Sequence, residues 1–159
     1  MRKFFKINYT QFCHDFSDDK VLYDEYCLPK RATKFSAGYD FYSLGEYVIK
    51  PGEVLKIPTG IKVIMNDDEM FCLFVRSSMG FKYNVRLTNQ VGIIDKDYFE
   101  NPDNDGHMWI CLQNHGDKDF VIHKGDAFCQ GIFMKYLVTD DDFSDGVRVS
   151  GFGSTSKEV

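Results

Sequence analysis

The stretch NQVGIIDKDY (residues 89–98) sets two carboxylates, Asp95 and Asp97, directly after an apolar run, with the ring of Tyr98 one step further on. Asp95 follows Ile93 and Ile94, so it borders a core that raises the cost of leaving it unpaired. A carboxylate there can take a proton from water as a general base. Strand alternation puts Asp95 and Asp97 on one face, although two solvated turn aspartates are the commoner fate of a DKD triplet. Gly92 permits a tight bend, which would let nearby backbone groups read the edge of a planar base. A second stretch, RSSMG (76–80), puts Arg76, Ser77 and Ser78 just after the apolar run FCLFV. An arginine and two hydroxyls where a strand meets a helix start suit phosphate oxygens. A helix cap made by Ser77 or Ser78 explains them equally well. A third stretch, GFGST (151–155), offers Phe152, the backbone of Gly153 and the hydroxyls of Ser154 and Thr155, with Arg148 three residues upstream. Successive N–H groups can cup a phosphate, but composition alone favours a merely soluble, disordered end. Asp40 in SAGYDFYS and Gln130 in KGDAFCQGI are polar residues inside strand-like runs, and neither decides anything in isolation.

The elements that would carry these residues are mostly strands. Short runs rich in Val, Ile, Phe and Tyr recur between turn residues. FFKINY is a candidate first strand and AGYDFYS alternates around Asp40. EYVIKPGEVLKIPTGIKVIM reads as two or three strands broken at Pro51-Gly52 and Pro58-Thr59-Gly60. FCLFVR reads as a buried strand, and VRLTNQVGIID as a hairpin turning near Gly92. HMWICLQN and DFVIHKGDAFCQGIFMKYLV continue the pattern. One helix is expected over 77–83, and a short one near 9–16. The rest of the first thirty residues reads as surface turns, NPDNDG (101–106) as a polar loop, and TDDDFSDG (139–146) as an acidic linker. Many short strands with closely spaced turns imply an all-β sandwich, barrel or jelly roll.

The 159 residues suit one domain with one core, and a hydrophobic fraction of 43% fills it. The net charge of −5, without a basic run, argues against nucleic acid as the main partner, because phosphate backbones demand clustered Lys and Arg. A small anion still needs only one local site. The five cysteines form no CxxC pair and, with four histidines, show no metal-ligand spacing. They read as reduced thiols of a cytoplasmic core. Lys6 and Asn8 interrupt the apolar start, so no signal peptide is expected, and no run is long enough to span a membrane.

Taken in order, SAGYDFYS, VRSSMG, NQVGIIDKDY, KGDAFCQGI and RVSGFGSTS closely resemble the five motifs of the homotrimeric deoxyuridine triphosphate nucleotidohydrolases, the dUTPases. The resemblance runs from residue 36 to residue 156. It implies a small β jelly roll over 1–146 and a flexible C-terminal arm over 147–159 that closes over the site. It further implies a homotrimer in which three chains close three sites, and hydrolysis of dUTP to dUMP and pyrophosphate. By the same resemblance Asp95 activates water for attack on the α-phosphate. Tyr98 packs on the deoxyribose where a 2′-hydroxyl would collide. Asn89 and the backbone of Gly92, Ile93 and Ile94 bind uracil. Arg76, Ser77 and Ser78 hold phosphates, and Gln130 contacts phosphate or a water on the metal. Asp40 holds waters of a Mg²⁺ chelated mainly by the triphosphate, while Arg148, Gly153, Ser154 and Thr155 close on the γ-phosphate under a stacked Phe152. A Mg²⁺ that prefers phosphate oxygens and retained waters suits a chain without a ligand cluster. The implied location is the cytoplasm, or the nucleus or host cytoplasm for a eukaryotic or viral chain.

The chain departs from the family pattern at Val75, Phe99, Glu100, Ala127, Cys129, Ser150 and Ser156, none of which carries an assigned role. Two other readings use the same stretches. One is dCTP deamination on the same fold, which needs a glutamate at the cytosine ring. The other is a non-catalytic trimer binding nucleotide or a protein partner.

Overall fold

The computed structural model describes residues 1–148, 150 and 151. Strands form where alternation lets one face be buried. In β10 (Trp109–Asn114), Ile110, Leu112 and Asn114 point inward while the residues between them are half-exposed. Asn114 is tolerated inside because its Nδ2 donates to the carbonyls of Ile49 (2.7 Å) and Lys118 (2.8 Å), while its Oδ1 accepts from the Gly116 amide. A buried polar group with all its partners in place costs little.

Among the described residues the strands make four antiparallel sheets. The largest runs β2 (Lys30–Arg31), β3 (Tyr39–Tyr42), β12 (Ala127–Lys135), β7 (Glu69–Phe74), β9 (Gly92–Ile94). A second runs β5 (Val54–Pro58), β10, β8 (Val85–Leu87). Two strand pairs complete the set: β1 (Lys3–Lys6) with β6 (Ile61–Ile64), and β4 (Tyr47–Ile49) with β11 (Phe120–Ile122). This is the jelly-roll arrangement expected from the sequence. Between the sheets, Phe4 packs edge-on to Phe41 and Phe71, and Phe71 also meets Phe133 at 4.8 Å. Gly131 of β12 lies under Phe71, so a Cβ there would sit 2.2 Å from the ring.

Two parts differ from the sequence reading. The first thirty residues hold, besides the short helix expected near 9–16, a second helix where surface turns are expected. α1 (Tyr9–Asp15) is capped by Asn8 and α2 (Lys20–Glu25) by Asp19, each side chain accepting from a first-turn amide at 2.9 Å. They close a second small core of Ile7, Phe12, Leu22 and Leu44. And Gly92 makes no bend. The turn falls at residues 88–91, where Gln90 takes φ 63°, and the strands on either side join different sheets, β8 pairing with β10 and β9 with β7. Gly92 instead permits close packing, since a Cβ would stand 3.2 Å from that of Leu73. No helix of the described residues is long and apolar enough to cross a membrane.

Candidate active site

The residues singled out by the sequence fall into two clusters. The first sits where β3, β12 and the end of β7 meet. Asp40 and Gln130 are direct partners across β3 and β12, so their side chains share a face. A register shift between Ala127 and Cys129 precedes that pair, and such bulges re-aim side chains near sites. Arg76, at the N-cap position of α3 (Ser77–Tyr83), reaches back to them. Its Nε lies 3.1 Å from Asp40 Oδ1 and its Nη1 donates to the Ala127 carbonyl at 3.2 Å. Gln130 Nε2 donates to the Val75 carbonyl at 3.1 Å, and Gly38 leaves room for its amide, because a Cβ there would lie 2.4 Å from Oε1. Neither Ser77 nor Ser78 caps α3, whose start has no side-chain cap. The helix-cap explanation of these serines therefore fails: Ser77 is exposed and Ser78 half-buried in the first turn. The cluster can present one guanidinium and two hydroxyls to an anion.

The second cluster lies at the far end of β9. Asp95 stands just before a one-turn 3₁₀ helix, Lys96–Tyr98, and its side chain is 55% exposed. Arg148 clamps it: Nη2 donates to Asp95 Oδ2 at 2.6 Å and Nε to Asp97 Oδ1 at 2.8 Å, while the guanidinium carbon stands 5.9 Å from the Tyr98 ring centre. The two aspartates thus do face one group, brought round by a helical turn rather than by strand alternation. The Tyr98 ring is buried, and burial pushes its phenol above the ordinary range, so it stays a neutral donor. Its hydroxyl donates to the His107 carbonyl at 2.9 Å and accepts from Asn104 Nδ2 at 2.8 Å. Asn89 is exposed in the turn before β9, and its carbonyl accepts from Val91 at 2.7 Å. Among the described residues β9 is the last strand of its sheet, with one side lacking a strand partner, so its backbone can meet a ligand edge. Ile93 is 60% exposed there.

One chain does not bring the two clusters together. Gln130 lies opposite both Asp40 and Phe74, whereas Ile94 lies opposite Phe71. Three strand spacings and about four residues along β7 therefore separate Asp40 from Asp95, on the order of 20 Å between backbones. Phe152, Gly153, Ser154 and Thr155 lie outside the described residues. The described end of the chain is held beside the second cluster, the Gly151 amide donating to Asp103 Oδ2 at 3.2 Å.

Sequence reasoning missed the support beneath Tyr98: Asn101, Asn104 and His107 in residues 99–107, and Asp15 on α1. The Asn- and Asp-rich NPDNDG run signalled a turn whose side chains bond their own backbone, and Asn101 Oδ1 does accept from the amides of Asp103 and Asn104. Nothing in the sequence links His107 to Asp15, 92 residues apart.

Fold and clusters together define a jelly-roll protein that sets an arginine and hydroxyls at one end of a sheet and a carboxylate beside a tyrosine at the other. A dUTPase family model matches residues 24–156. The chain belongs to the dUTPase family. It is similar to the deoxyuridine 5'-triphosphate nucleotidohydrolase of Lactococcus lactis, 45% identical over 130 residues, covering 80% of this chain and 87% of that protein. The enzyme of the same name from Haemophilus influenzae is 32% identical over 88% of this chain and 94% of its own length. A crystal structure of dUTPase from Streptococcus mutans superposes with TM-score 0.66 at 41% identity, over 71% of this chain and 88% of that one. A mutant dUTPase from phage phi11 of S. aureus, whose structure reveals the coordination of a structural Mg(II) ion, superposes with TM-score 0.68 over 92% of this chain and 97% of its own. At 17% identity it speaks to the fold alone.

Proposed function

We propose that this chain hydrolyses dUTP to dUMP and pyrophosphate, with Asp95 activating the water that attacks the α-phosphorus. The reaction lowers dUTP and supplies dUMP for thymidylate synthesis. The observation that carries this reading is that, in a chain of the dUTPase family, Asp40, Arg76 and Gln130 gather in a cluster suited to anions, Asp95, Tyr98 and Arg148 gather in one holding a carboxylate beside a buried tyrosine, and Asn89 and β9 lie along the sheet edge between them.

The separation of the clusters supports a site shared between chains, with Arg76, Ser77, Ser78 and Gln130 of one chain facing Asp95 of another in a homotrimer. Arg76 and the two serines hold phosphate oxygens, and Gln130 contacts phosphate or a metal-bound water. Arg148 leaves Asp95 and Asp97 for the γ-phosphate, which frees the Asp95 carboxylate to accept a proton from water. Residues 147–159 act as an arm on the 1–146 domain, with Phe152, Gly153, Ser154 and Thr155 closing over the nucleotide. Asn89 and the edge of β9 from Gly92 to Ile94 read uracil. Cytosine would reverse the donor–acceptor pattern and leave buried groups unpaired. Tyr98 bars a 2′-hydroxyl.

Among the described residues no group of three or more His, Cys, Asp or Glu could hold a metal ion. A Mg²⁺ carried by the triphosphate needs none. Asp40 and Gln130, side by side across two strands, suit its waters. When bound, the ion neutralises phosphate charge and fixes the chain of phosphates for in-line displacement. The five cysteines carry no disulfide, which suits work in the cytoplasm.

The test follows pyrophosphate and ammonia release from dUTP, dCTP and UTP by the purified protein, with dUTP binding measured alongside. Release from dUTP alone is the expected result. Ammonia from dCTP would replace this reading with deamination, and dUTP binding without turnover would replace it with a binding module.

A further inference from the structure

Residues 1–30 have no part in the function proposed above, yet α1 is joined to the loop that holds Tyr98. The tyrosine hydroxyl donates to the His107 carbonyl at 2.9 Å. His107 is fully buried, and its Nε2 accepts from the Gly60 amide at 2.9 Å. A backbone amide only donates, so the ring proton is on Nδ1, and Nδ1 donates to Asp15 Oδ2 at 2.5 Å. Asp15 ends α1 with its side chain 8% exposed, and Gln11 Nε2 also donates to it, at 2.8 Å. Two more ties hold the same loop. Asp105 accepts from the Asn8 amide at 2.7 Å, and Lys62 Nζ bridges Asp105 and Glu100 at 2.9 Å each. Both hydrogen bonds of the His107 ring are thus made by the N-terminal segment and by the turn before β6, while the Trp109 ring packs against it at 5.0 Å.

We infer that Asp15 and His107 are positioning residues for sugar selection. They hold the His107 backbone, and through its carbonyl the Tyr98 ring, at the depth where a 2′-hydroxyl collides. The inference rests on the proposed role of Tyr98. A purely structural pair would, when broken, reduce the folded fraction and so lower turnover of dUTP and UTP in equal proportion. A positioning pair changes their ratio, because a ring that can retreat admits the ribose.

The experiment measures kcat/KM for dUTP and for UTP with the full chain. Asp15→Ala removes the acceptor, and Asp15→Asn keeps an oxygen for Nδ1–H. Tyr98→Phe keeps the ring but cuts its tether, and decides the matter if Asp15→Ala does not fold. The expected result is a dUTP preference narrowed roughly tenfold in Asp15→Ala and Tyr98→Phe and restored in Asp15→Asn. An unchanged preference in both folded variants, while Tyr98→Ala narrows it, overturns the positioning role and leaves the tyrosine's role standing. An unchanged preference in Tyr98→Ala overturns both.

Discussion

The Asp95 carboxylate is half exposed and shares the Arg148 guanidinium with Asp97. That contact is a surface one, of modest worth in water, so a triphosphate with more charge can displace it. Asp95→Asn removes the proposed base but leaves the cluster around Arg76 intact. Turnover is expected to fall by about 10²–10⁴-fold with dUTP affinity kept. Steady-state rates together with calorimetric binding check this, and an equal loss of affinity would count against the role. A second residue-scale expectation concerns His107. Burial pushes its imidazole below the ordinary value of 6.5, against the opposing pull of Asp15 on α1 and Asp105 in the loop and with a small push from Lys56 on β5. The unfolded chain takes up a proton near 6.5 that the folded chain refuses. This stability is therefore present above pH 6.5 and is lost as pH falls below it, by at most about 1.4 kcal/mol per pH unit. Burial alone would raise the Asp15 carboxyl, but hydrogen bonds from His107, Gln11 and His14 outweigh it and hold it well below the usual range. Asp15 therefore stays charged throughout that window. Melting temperatures between pH 7.5 and 5.5 should fall more steeply for wild type than for His107→Gln, and parallel slopes would contradict the assignment.

At the scale of elements, the strands were legible because their alternation is strong and their turns carry glycine, proline or polar clusters, as in β10 and in the β4 to β6 region. α3 was legible for the same reason, a change of pattern after a buried strand. α2 was not, because its six residues, KVLYDE, are too few for helical periodicity to register, and its cap is an ordinary aspartate. The role of Gly92 was misread because a glycine that bends and a glycine that packs look alike in sequence. For the candidate site, the five stretches name most residues of the two clusters, but the Asp15–His107 contact is a product of folding alone. Glycine packing gives a direct element-scale test. Gly131→Ala would push a Cβ to 2.2 Å from Phe71 and is expected to lower stability by about 2 kcal/mol or more. Gly80→Ala, within α3 and with nothing within 4 Å of the added Cβ, is expected to raise it by up to about 1 kcal/mol. Denaturant midpoints of the two variants should move in opposite directions, and a shared direction would contradict the packing.

For the whole molecule, the governing feature is the distance between the clusters on a single sheet. Sheets of close-packed aromatics do not bend to close a gap of that size, so the proposed chemistry requires a second chain. Exposed apolar side chains are available for such contacts. Val48 and Val121 face outward as partners across β4 and β11, and Val54 and Phe81 are also exposed. The most direct measurement mixes two inactive proteins, Asp95→Asn and Arg76→Ala, under conditions that exchange subunits, and follows pyrophosphate release from dUTP. A site that takes Asp95 from one chain and Arg76 from another is intact in about a quarter of random combinations, so activity near that fraction of wild type is expected. Activity that stays at the sum of the two parents, in a mixture shown to have exchanged, would contradict the shared site.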